Sequence, residues 1–381
     1  MPLPQPDPIA RAHSDALAAL IRAEIAASGD WLPFARYMEL ALYAPGLGYY
    51  AAGAAKFGAA GDFVTAPEIS ALFGRSLARQ VAQVLAASAP HVLEFGAGTG
   101  KLAADLLGAL GATCQSYAIL EPSPDLRERQ ADTLRRLAPM HLPKVRWLDT
   151  LPDTFSGCML ANEVVDAMPV HLLRFTAEAI FERGVTAAPD GGFVYAERPA
   201  QGALLAAARA LPVPGYDDYV TELNLAAPAW IAALGACLSQ GAALLIDYGF
   251  PAREYYHPQR SRGTLMCHYR HHAHDDPFFL PGLCDITAHV DFSALALAGE
   301  ASGLDLLGYA GQAGFLIDCG ITELIGEVSA SDSARYLPLA NQANRLLSPA
   351  EMGELFKVML LGRGIDLQAL GFLQSDKSAR L

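Results

Sequence analysis

The pattern of apolar positions changes along the chain, from helical spacing to alternating strands and helices near residue 91. In the first part, Leu17, Ile21 and Ile25 recur every four residues in a predicted helix from Asp15 to Ala27. Farther on, short apolar runs predict five strands: His91–Phe95, Tyr117–Glu121, Val145–Leu148, Cys158–Asn162 and Ala242–Asp247. Helical patterns separate most of these strands, which predicts a mostly parallel sheet covered by helices on both faces.

Several other segments add to this expected architecture. Leu304–Tyr309 and Gly314–Asp318 predict an antiparallel hairpin that closes the sheet. Turn residues within 170–200 predict an inserted β-hairpin, and the stretch 251–285, rich in His and Pro, predicts a long loop. A capping box at Ser348 to Glu351 predicts a helix that ends at Gly362.

These patterns divide the chain into three regions. Residues 1–88 form a helical N-terminal region, in which the Gly- and Ala-rich stretch Tyr43–Asp62 carries aromatic residues and predicts a loop that covers a binding site. Residues 89–169 and 240–381 form an α/β core. Residues 170–239 form an inserted subdomain on the substrate side.

The turn after the first core strand excludes two common ligand classes. A phosphate-binding P-loop requires Gly where Phe95 stands, and Ser or Thr where Leu102 follows the lysine. A nicotinamide-binding turn requires G-x-G-x-x-G, whereas the third glycine, Gly100, comes one residue too early. Neither a P-loop nor a nicotinamide site is therefore predicted.

The observed pattern is E-x-G-x-G-x-G, formed by Glu94, Gly96, Gly98 and Gly100. Such glycines allow the backbone to approach a ligand closely and to adopt conformations that a Cβ atom disfavours. Glu121 follows 21 residues after Gly100 at the end of the next predicted strand, where a carboxylate can accept hydrogen bonds from ribose hydroxyls. Together these features predict an S-adenosylmethionine site on a class I, Rossmann-like methyltransferase sheet; a tight turn without a ligand is the alternative.

Two further strand ends share this edge of the sheet, because ligands of open α/β sheets bind at the carboxyl ends of the strands. Asp149 ends the third predicted strand and is a candidate for the adenine amine, although an ordinary loop aspartate fits the sequence equally well. Asn162 ends the fourth strand and is a candidate cofactor contact where the substrate side begins.

Glu163 and Asp166 follow this strand and are the candidate catalytic pair. Paired carboxylates can hold the planar guanidinium of arginine by bidentate hydrogen bonds, and one of them can accept a proton as the methyl group arrives. In-line methyl transfer requires chiefly such orientation of the acceptor. The alternative is a solvated helix start with acidic residues at its positive end.

Glu68 and His289 are weaker catalytic candidates. Glu68 forms a capping box with Thr65, and the cap is the favoured interpretation of this residue. His289 could act as a base near the site, but a histidine in a helix cap is the simpler interpretation. The cluster His268, His271, His272 and His274 fits no specific metal-ligand spacing, so no metal site is predicted.

Composition narrows the expected setting of the protein. With 40 acidic and 27 basic residues the formal charge is −13, which disfavours nucleic-acid binding because phosphate neutralisation requires clustered Lys and Arg. The six cysteines form no C-x-x-C pair, as expected in a reducing compartment. Since neither a signal peptide nor an apolar run of about 18 residues is present, we expect a cytoplasmic protein without a membrane span.

The chain resembles the MidA-like methyltransferases. The resemblance rests on collinear blocks: Gly61–Glu68, Glu94–Gly100, Glu121–Pro124, Asn162–Val170, Asp247–Gly249, Gly282–Asp291, Gln312–Leu316 and Gly353–Val358. It implies a seven-stranded methyltransferase sheet with an inserted region, and S-adenosylmethionine binding through the three glycines and Glu121. Mitochondrial members of the family assist assembly of respiratory complex I by methylating an arginine of one of its subunits.

Three functions remain open at this point. The first is protein arginine N-methylation, with a respiratory complex subunit as the expected partner. The second is methyl transfer to a small molecule, because two carboxylates favour a cationic nitrogen but do not define the size of its carrier. The third is a cofactor-binding assembly factor without turnover. The sequence leaves the oligomeric state open, including a homodimer.

Overall fold

The computed structural model describes residues 3–51, 65–213, 215 and 217–381. The helices, in chain order, are α1 (Pro8–Ala27), α2 (Phe34–Tyr43), α3 (Ala66–Ile69), α4 (Ala71–Ala87), α5 (Lys101–Leu110), α6 (Pro124–Leu137), α7 (Gly202–Ala210), α8 (Ala226–Cys237), α9 (Ala252–Tyr255), α10 (Phe292–Ala301), α11 (Gln312–Asp318), α12 (Ile321–Gly326) and α13 (Ser333–Leu347). The strands are β1 (Leu32–Pro33), β2 (His91–Phe95), β3 (Ser116–Leu120), β4 (Val145–Leu148), β5 (Phe155–Asn162), β6 (His171–Phe175), β7 (Ile180–Ala187), β8 (Phe193–Pro199), β9 (Tyr219–Leu223), β10 (Leu238–Phe250), β11 (Met266–Tyr269), β12 (His272–His274), β13 (Asp285–Thr287), β14 (Val290–Asp291), β15 (Asp305–Gly311) and β16 (Phe356–Arg363).

The largest described sheet has the strand order β15-β16-β10-β5-β2-β3-β4, and the short strand β14 pairs with the end of β10. Strands β10, β5, β2, β3 and β4 are parallel, whereas β16 is antiparallel to both of its neighbours. The predicted α/β fold with a mostly parallel sheet is therefore confirmed. Because β2 lies between β5 and β3, the turns that follow these three strands meet at one edge.

Helices cover both faces of this sheet. One face packs against buried side chains of α4, α5, α6, α11, α12 and α13, and the other packs against those of α8 and α10. Burial on both faces requires strands that are apolar at nearly every position. Leu244, Leu245 and Ile246 of β10 show this, since all three are buried.

The C-terminal prediction was wrong in two places. Gly314–Asp318 lies within helix α11, and the strand that pairs with β15 is β16, in the segment predicted to be helical up to Gly362. All residues of β16 except its last are buried, from Phe356 to Gly362. A continuous apolar run of this kind does not distinguish a buried strand from a buried helix. Ser348, the expected start of a helix, instead follows the last residue of α13.

The inserted region is larger than a hairpin. Strands β6, β7 and β8 form an antiparallel meander; β9 pairs with β6, and β1 of the N-terminal region pairs with the second half of β7. Residues 251–285, expected to be a loop, also contain β11 and β12, and β11 pairs with both β12 and β13 in a three-stranded sheet. These strands are short and show no regular alternation of apolar and polar residues, so the pattern did not predict them.

Two glycines allow neighbouring strands of the large sheet to approach closely. A Cβ atom at Gly157, where φ is +134°, would collide with the backbone oxygen of His91, and one at Gly241 would collide with the backbone of Gly157. Relief of such contacts requires the backbone itself to move. Glycine at position 157 is therefore a structural requirement of the junction between β2, β5 and β10.

Gly157→Ala should lower the free energy of unfolding by about 2–4 kcal/mol, because strained backbone and core overpacking act together. Chemical denaturation measures this change. The matched control is Gly108→Ala, an exposed helix position where the added methyl group meets no atom within 4 Å. Gly108→Ala should stabilise the protein by up to about 1 kcal/mol. Equal stability of the two variants would contradict this account.

Candidate active site

A cavity of about 620 Å³ opens at the carboxyl ends of β2, β3 and β5. Its volume lies in the range of pockets that bind cofactor-sized molecules. Most residues predicted for the site line it: Glu68, Glu94, Gly96, Gly98, Glu121, Asn162, Glu163 and Asp166. The fold therefore brings both predicted halves of the site, the cofactor side and the acceptor side, into one cavity.

The glycine turn has the backbone that its sequence predicted. Gly96, Gly98 and Gly100 have φ of +59°, +53° and +81°, in the left-handed region that favours glycine. Gly98 lines the cavity, and a Cβ atom there would meet no protein atom within 4 Å. Gly100 has a different role: it precedes α5, and a Cβ atom there would lie 3.0 Å from Cα of Gln130.

Gln130, a buried residue of α6, connects the parts of the cofactor side. Its Nε2 donates to the backbone oxygen of Gly98 and to Oε2 of Glu121, both at 3.2 Å, and its Oε1 accepts from Nε1 of Trp147 at 2.8 Å. Sequence reasoning missed this residue, because a glutamine inside a polar helix carries no distinguishing pattern. Gln130 fixes the glycine turn relative to the predicted ribose carboxylate.

Glu94 and Glu121 are both buried carboxylates with defined partners. The hydroxyl of Tyr117 donates to Oε2 of Glu94 at 2.7 Å, and burial raises the pKa of Glu94 to about 7. The backbone N–H of Ser123 donates to Oε1 of Glu121 at 3.0 Å, and burial raises the pKa of Glu121 as well. Glu121 lies directly after β3, the position from which a carboxylate can accept hydrogen bonds from a ribose.

The structure does not bring Asp149 or His289 to the cavity. The side chain of Asp149 is 87% exposed and forms an ion pair with Arg127 at 2.6 Å. The ring of His289 packs against the rings of Tyr248 and Phe250, and burial lowers its pKa to about 4. The sequence placed Asp149 at a strand end and His289 beside a short apolar segment, but it did not define where either side chain points.

Glu68 is not part of a capping box, so that interpretation was wrong. The side chain of Thr65 makes no capping hydrogen bond, and α3 is only four residues long. Ser70 caps the longer helix α4 by accepting from the N–H of Leu72 at 3.2 Å. The carboxylate of Glu68 instead accepts a hydrogen bond from the hydroxyl of Thr99, which links α3 to the glycine turn.

On the acceptor side, Glu163 adopts a strained conformation. Its φ is +53°, and a non-glycine residue in such a region costs about 1–3 kcal/mol. Its N–H donates to the oxygen of Ile246 at 2.9 Å, and its Oε1 accepts from Nδ2 of Asn162 at 3.1 Å. The backbone N–H of Ala66 also hydrogen-bonds to the Glu163 carboxylate. These contacts hold the side chain at the cavity.

Asp166 lies beside Glu163 and is itself buried, with 6% of its surface exposed. The hydroxyl of Tyr248 interacts with its carboxylate and acts to lower its pKa, yet Oδ1 has no partner among the described residues. Burial raises the pKa of Asp166 to about 6, and burial with the nearby charge of Asp166 raises the pKa of Glu163 to about 8. Within the described chain, neither carboxylate has an ion pair with Lys or Arg.

Aromatic residues complete the cavity wall. The rings of Tyr43 and Tyr50 stack at 5.6 Å; the Tyr43 hydroxyl donates to the oxygen of Ala167, and that of Tyr50 donates to Oδ1 of Asp285, both at 2.9 Å. Both tyrosines line the cavity, as predicted for the first part of the covering loop. Residues 52–62, the rest of that loop, lie outside the described residues.

Trp230 of α8 also lines the cavity, where its ring meets that of Phe95 edge to face at 5.2 Å. Sequence reasoning missed Trp230, because α8 lies in the inserted region, far from the glycine turn along the chain. A tryptophan at the cavity provides a fluorescent reporter of ligand binding.

Comparison with known proteins identifies the family. Residues 75–310 match the model of a family of S-adenosyl-L-methionine-dependent methyltransferases. The chain belongs to this family. A Burkholderia thailandensis protein, solved bound to S-adenosyl-homocysteine, is 53% identical over the full length of both chains and superimposes with a TM-score of 0.96.

The chain is also similar to proteins that are named as mitochondrial. The mitochondrial protein arginine methyltransferase NDUFAF7 of Danio rerio is 31% identical, covering 88% of this chain and 84% of its own. The Drosophila melanogaster homologue is 29% identical over 96% of this chain and 89% of its own. These matches confirm the resemblance to the MidA-like family. The relatives are named mitochondrial, so they do not support the expected cytoplasmic location.

The residues of the cavity fit S-adenosylmethionine as cofactor. Gly98 leaves open space above the turn, and Glu121 offers a carboxylate at the end of β3. The protein is thus an S-adenosylmethionine-dependent methyltransferase. No described helix has both the length and the apolar character that a membrane crossing requires.

Gly98→Val should reduce the affinity for S-adenosyl-homocysteine at least 100-fold, because the added side chain fills space that the cofactor needs. Titration calorimetry measures the affinity. Gly191→Val is the matched control: Gly191 also has positive φ (+87°) and open space around it, but lies in an exposed turn between β7 and β8. The control should bind like the wild type. Equal losses in both variants would assign the effect to backbone strain alone.

Glu163→Gln should raise the melting temperature of the cofactor-free protein, because it removes a buried carboxylate that forms no ion pair with Lys or Arg in the part of the chain that the structure describes. The folded-state pKa of Glu163 lies above its ordinary value of 4.5, so its cost to stability grows as pH rises from about 4.5 to 8. We expect a gain of about 2 °C or more at pH 8.5 and almost none at pH 4.5. Destabilisation at both pH values would contradict this prediction, because it would show that the contacts of the Glu163 carboxylate offset the cost of its burial.

Proposed function

We propose that the protein transfers methyl groups to arginine side chains of a protein substrate. The observation that carries this proposal is the pair of buried carboxylates, Glu163 and Asp166, which face the cavity beside the glycine turn without a described cationic partner. An arginine side chain supplies the missing charge. The names of the mitochondrial relatives support the same acceptor.

The pair suits a guanidinium better than an ammonium group. A guanidinium is planar and presents its N–H donors in a rigid fork, which two neighbouring carboxylates can engage at once. It also stays charged at neutral pH, because its reference pKa exceeds 12. Its arrival favours ionisation of Glu163 and Asp166, since an opposite charge lowers the pKa of a carboxyl group.

S-adenosylmethionine, when bound, supplies a methyl group on a sulfonium sulfur and leaves as S-adenosyl-homocysteine. Glu163 and Asp166 orient the guanidinium so that one nitrogen faces this methyl group. As the new nitrogen–carbon bond forms and the sulfur–carbon bond breaks, that nitrogen carries one proton too many. In this proposal Glu163 accepts the proton, because its pKa in the free protein already lies above the ordinary value of a glutamate.

The partner follows from the family resemblance and remains a prediction. We propose a subunit of a respiratory complex as the protein acceptor, met before it assembles. The open side of the cavity is consistent with a side chain that enters from a larger molecule, because acceptor-side residues such as Tyr43 remain 41% exposed.

The test uses methyl-labelled S-adenosylmethionine and a lysate of source cells that lack this protein. After incubation, acid hydrolysis and amino-acid analysis identify which residue carries the label. The wild type should place it in methylarginine, and Glu163→Gln should reduce the rate at least 100-fold. Glu300→Gln, an exposed carboxylate on α10, is the matched control and should keep full activity.

Other outcomes have defined meanings. Label only in the small-molecule fraction would replace the protein acceptor by a free metabolite. Absence of label, with cofactor binding confirmed by quenching of Trp230 fluorescence, would favour a non-catalytic assembly factor. Full activity of Glu163→Gln would remove this residue from the mechanism.

A further inference from the structure

The turn that carries the two acceptor carboxylates is held by the end of a neighbouring strand. In the sheet register, Ile246 of β10 pairs with Asn162 of β5, so Asp247 lies beside the first residues after β5. Oδ2 of Asp247 accepts from the backbone N–H of Val165 at 2.9 Å and from that of Asp166 at 3.2 Å.

The second oxygen of Asp247 and the residue before it are also held by backbone N–H groups. Its Oδ1 accepts from the N–H of Tyr248 at 2.9 Å, so both oxygens are engaged by backbone donors. One residue earlier, the oxygen of Ile246 accepts from the N–H of Glu163. Three backbone N–H groups of the turn, at 163, 165 and 166, therefore bond to two consecutive residues of β10.

Aspartate is a costly choice at this position. Asp247 is 2% exposed, lies near the charges of Glu163 and Asp166, and has no ion pair with Lys or Arg in the described chain. Asparagine would remove the charge, but it offers one acceptor oxygen in place of two and would turn its NH₂ group toward N–H donors. A carboxylate accepts from the turn with one oxygen and from the N–H of Tyr248 with the other.

We propose that Asp247 is a positioning residue for methyl transfer, which fixes the turn 163–166 and thereby holds Glu163 and Asp166 at the acceptor. Asp247 does not line the cavity, so it acts through these two residues and makes no contact with the acceptor itself. This inference rests on the proposed function, because its consequence is the alignment of an acceptor side chain.

The first test is Asp247→Asn. Displacement of aligned groups by about 1 Å can cost about 100-fold in rate, so we expect kcat to fall by about that factor. The Kd for S-adenosyl-homocysteine should stay within two-fold, since the glycine turn and Glu121 do not contact Asp247. Asp305→Asn, an exposed aspartate at the opposite end of the same sheet, should leave kcat unchanged.

An equal loss of cofactor binding and rate would indicate a purely structural role and overturn the inference, as would an unchanged kcat. If the variant does not fold, amide hydrogen exchange of the wild type decides the question. The N–H groups of Val165 and Asp166 should exchange as slowly as those inside β5. Exchange at the rate of exposed loop amides would show that Asp247 does not hold these two N–H groups, and would contradict the inference.

Failure of the proposed function gives a different result from failure of this inference. A wild-type protein that labels no arginine would end the arginine assignment. The exchange rates of these amides, and their loss of protection in Asp247→Asn, would still show whether Asp247 holds the turn.

Discussion

The site depends on one electrostatic constraint, the burial of several carboxylates close together without a described basic partner. Glu163, Asp166 and Asp247 interact at the carboxyl ends of β5 and β10, and their mutual repulsion adds to the cost of burial. Buried charges are normally paired, and an oxygen such as Oδ1 of Asp166, which has no partner among the residues that the structure describes, is costly. A cationic acceptor would remove this cost. The carboxylates that lower the stability of the free protein would therefore raise its affinity for the acceptor.

Other parts of the structure follow from the need to keep these groups in place. Backbone N–H groups engage both oxygens of Asp247, the Tyr248 hydroxyl engages Asp166, and Glu163 takes a left-handed backbone conformation that β10 holds. The cofactor side has its own support, because Gln130 joins the glycine turn to the carboxylate after β3. Glu68 and α3 lie between the two sides, since α3 contacts both Thr99 and Glu163.

The sequence predicted the parts that obey local rules. The glycine turn, the core strands and the placement of Glu121 and Glu163 at strand ends follow from apolar runs bounded by turn residues and from the shared edge of parallel strands. The sequence failed where the outcome depends on tertiary contacts. Strand β16 was not predicted as a strand, because it is buried on both faces and its apolar run also fits a helix. Asp149 does not line the cavity, because its side chain points to solvent and pairs with Arg127. Gln130 has its role only because α6 packs against the glycine turn.

The central claim is that Glu163 lies in a site built for a cation. Carbon-13 NMR of the labelled glutamate carboxyl groups, assigned with Glu163→Gln, measures the pKa of this residue directly. The account predicts a pKa of about 8 in the protein without acceptor, and a marked decrease when an arginine amide is added to the complex with S-adenosyl-homocysteine. A pKa near the ordinary value of 4.5, unchanged by the guanidinium compound, would contradict it.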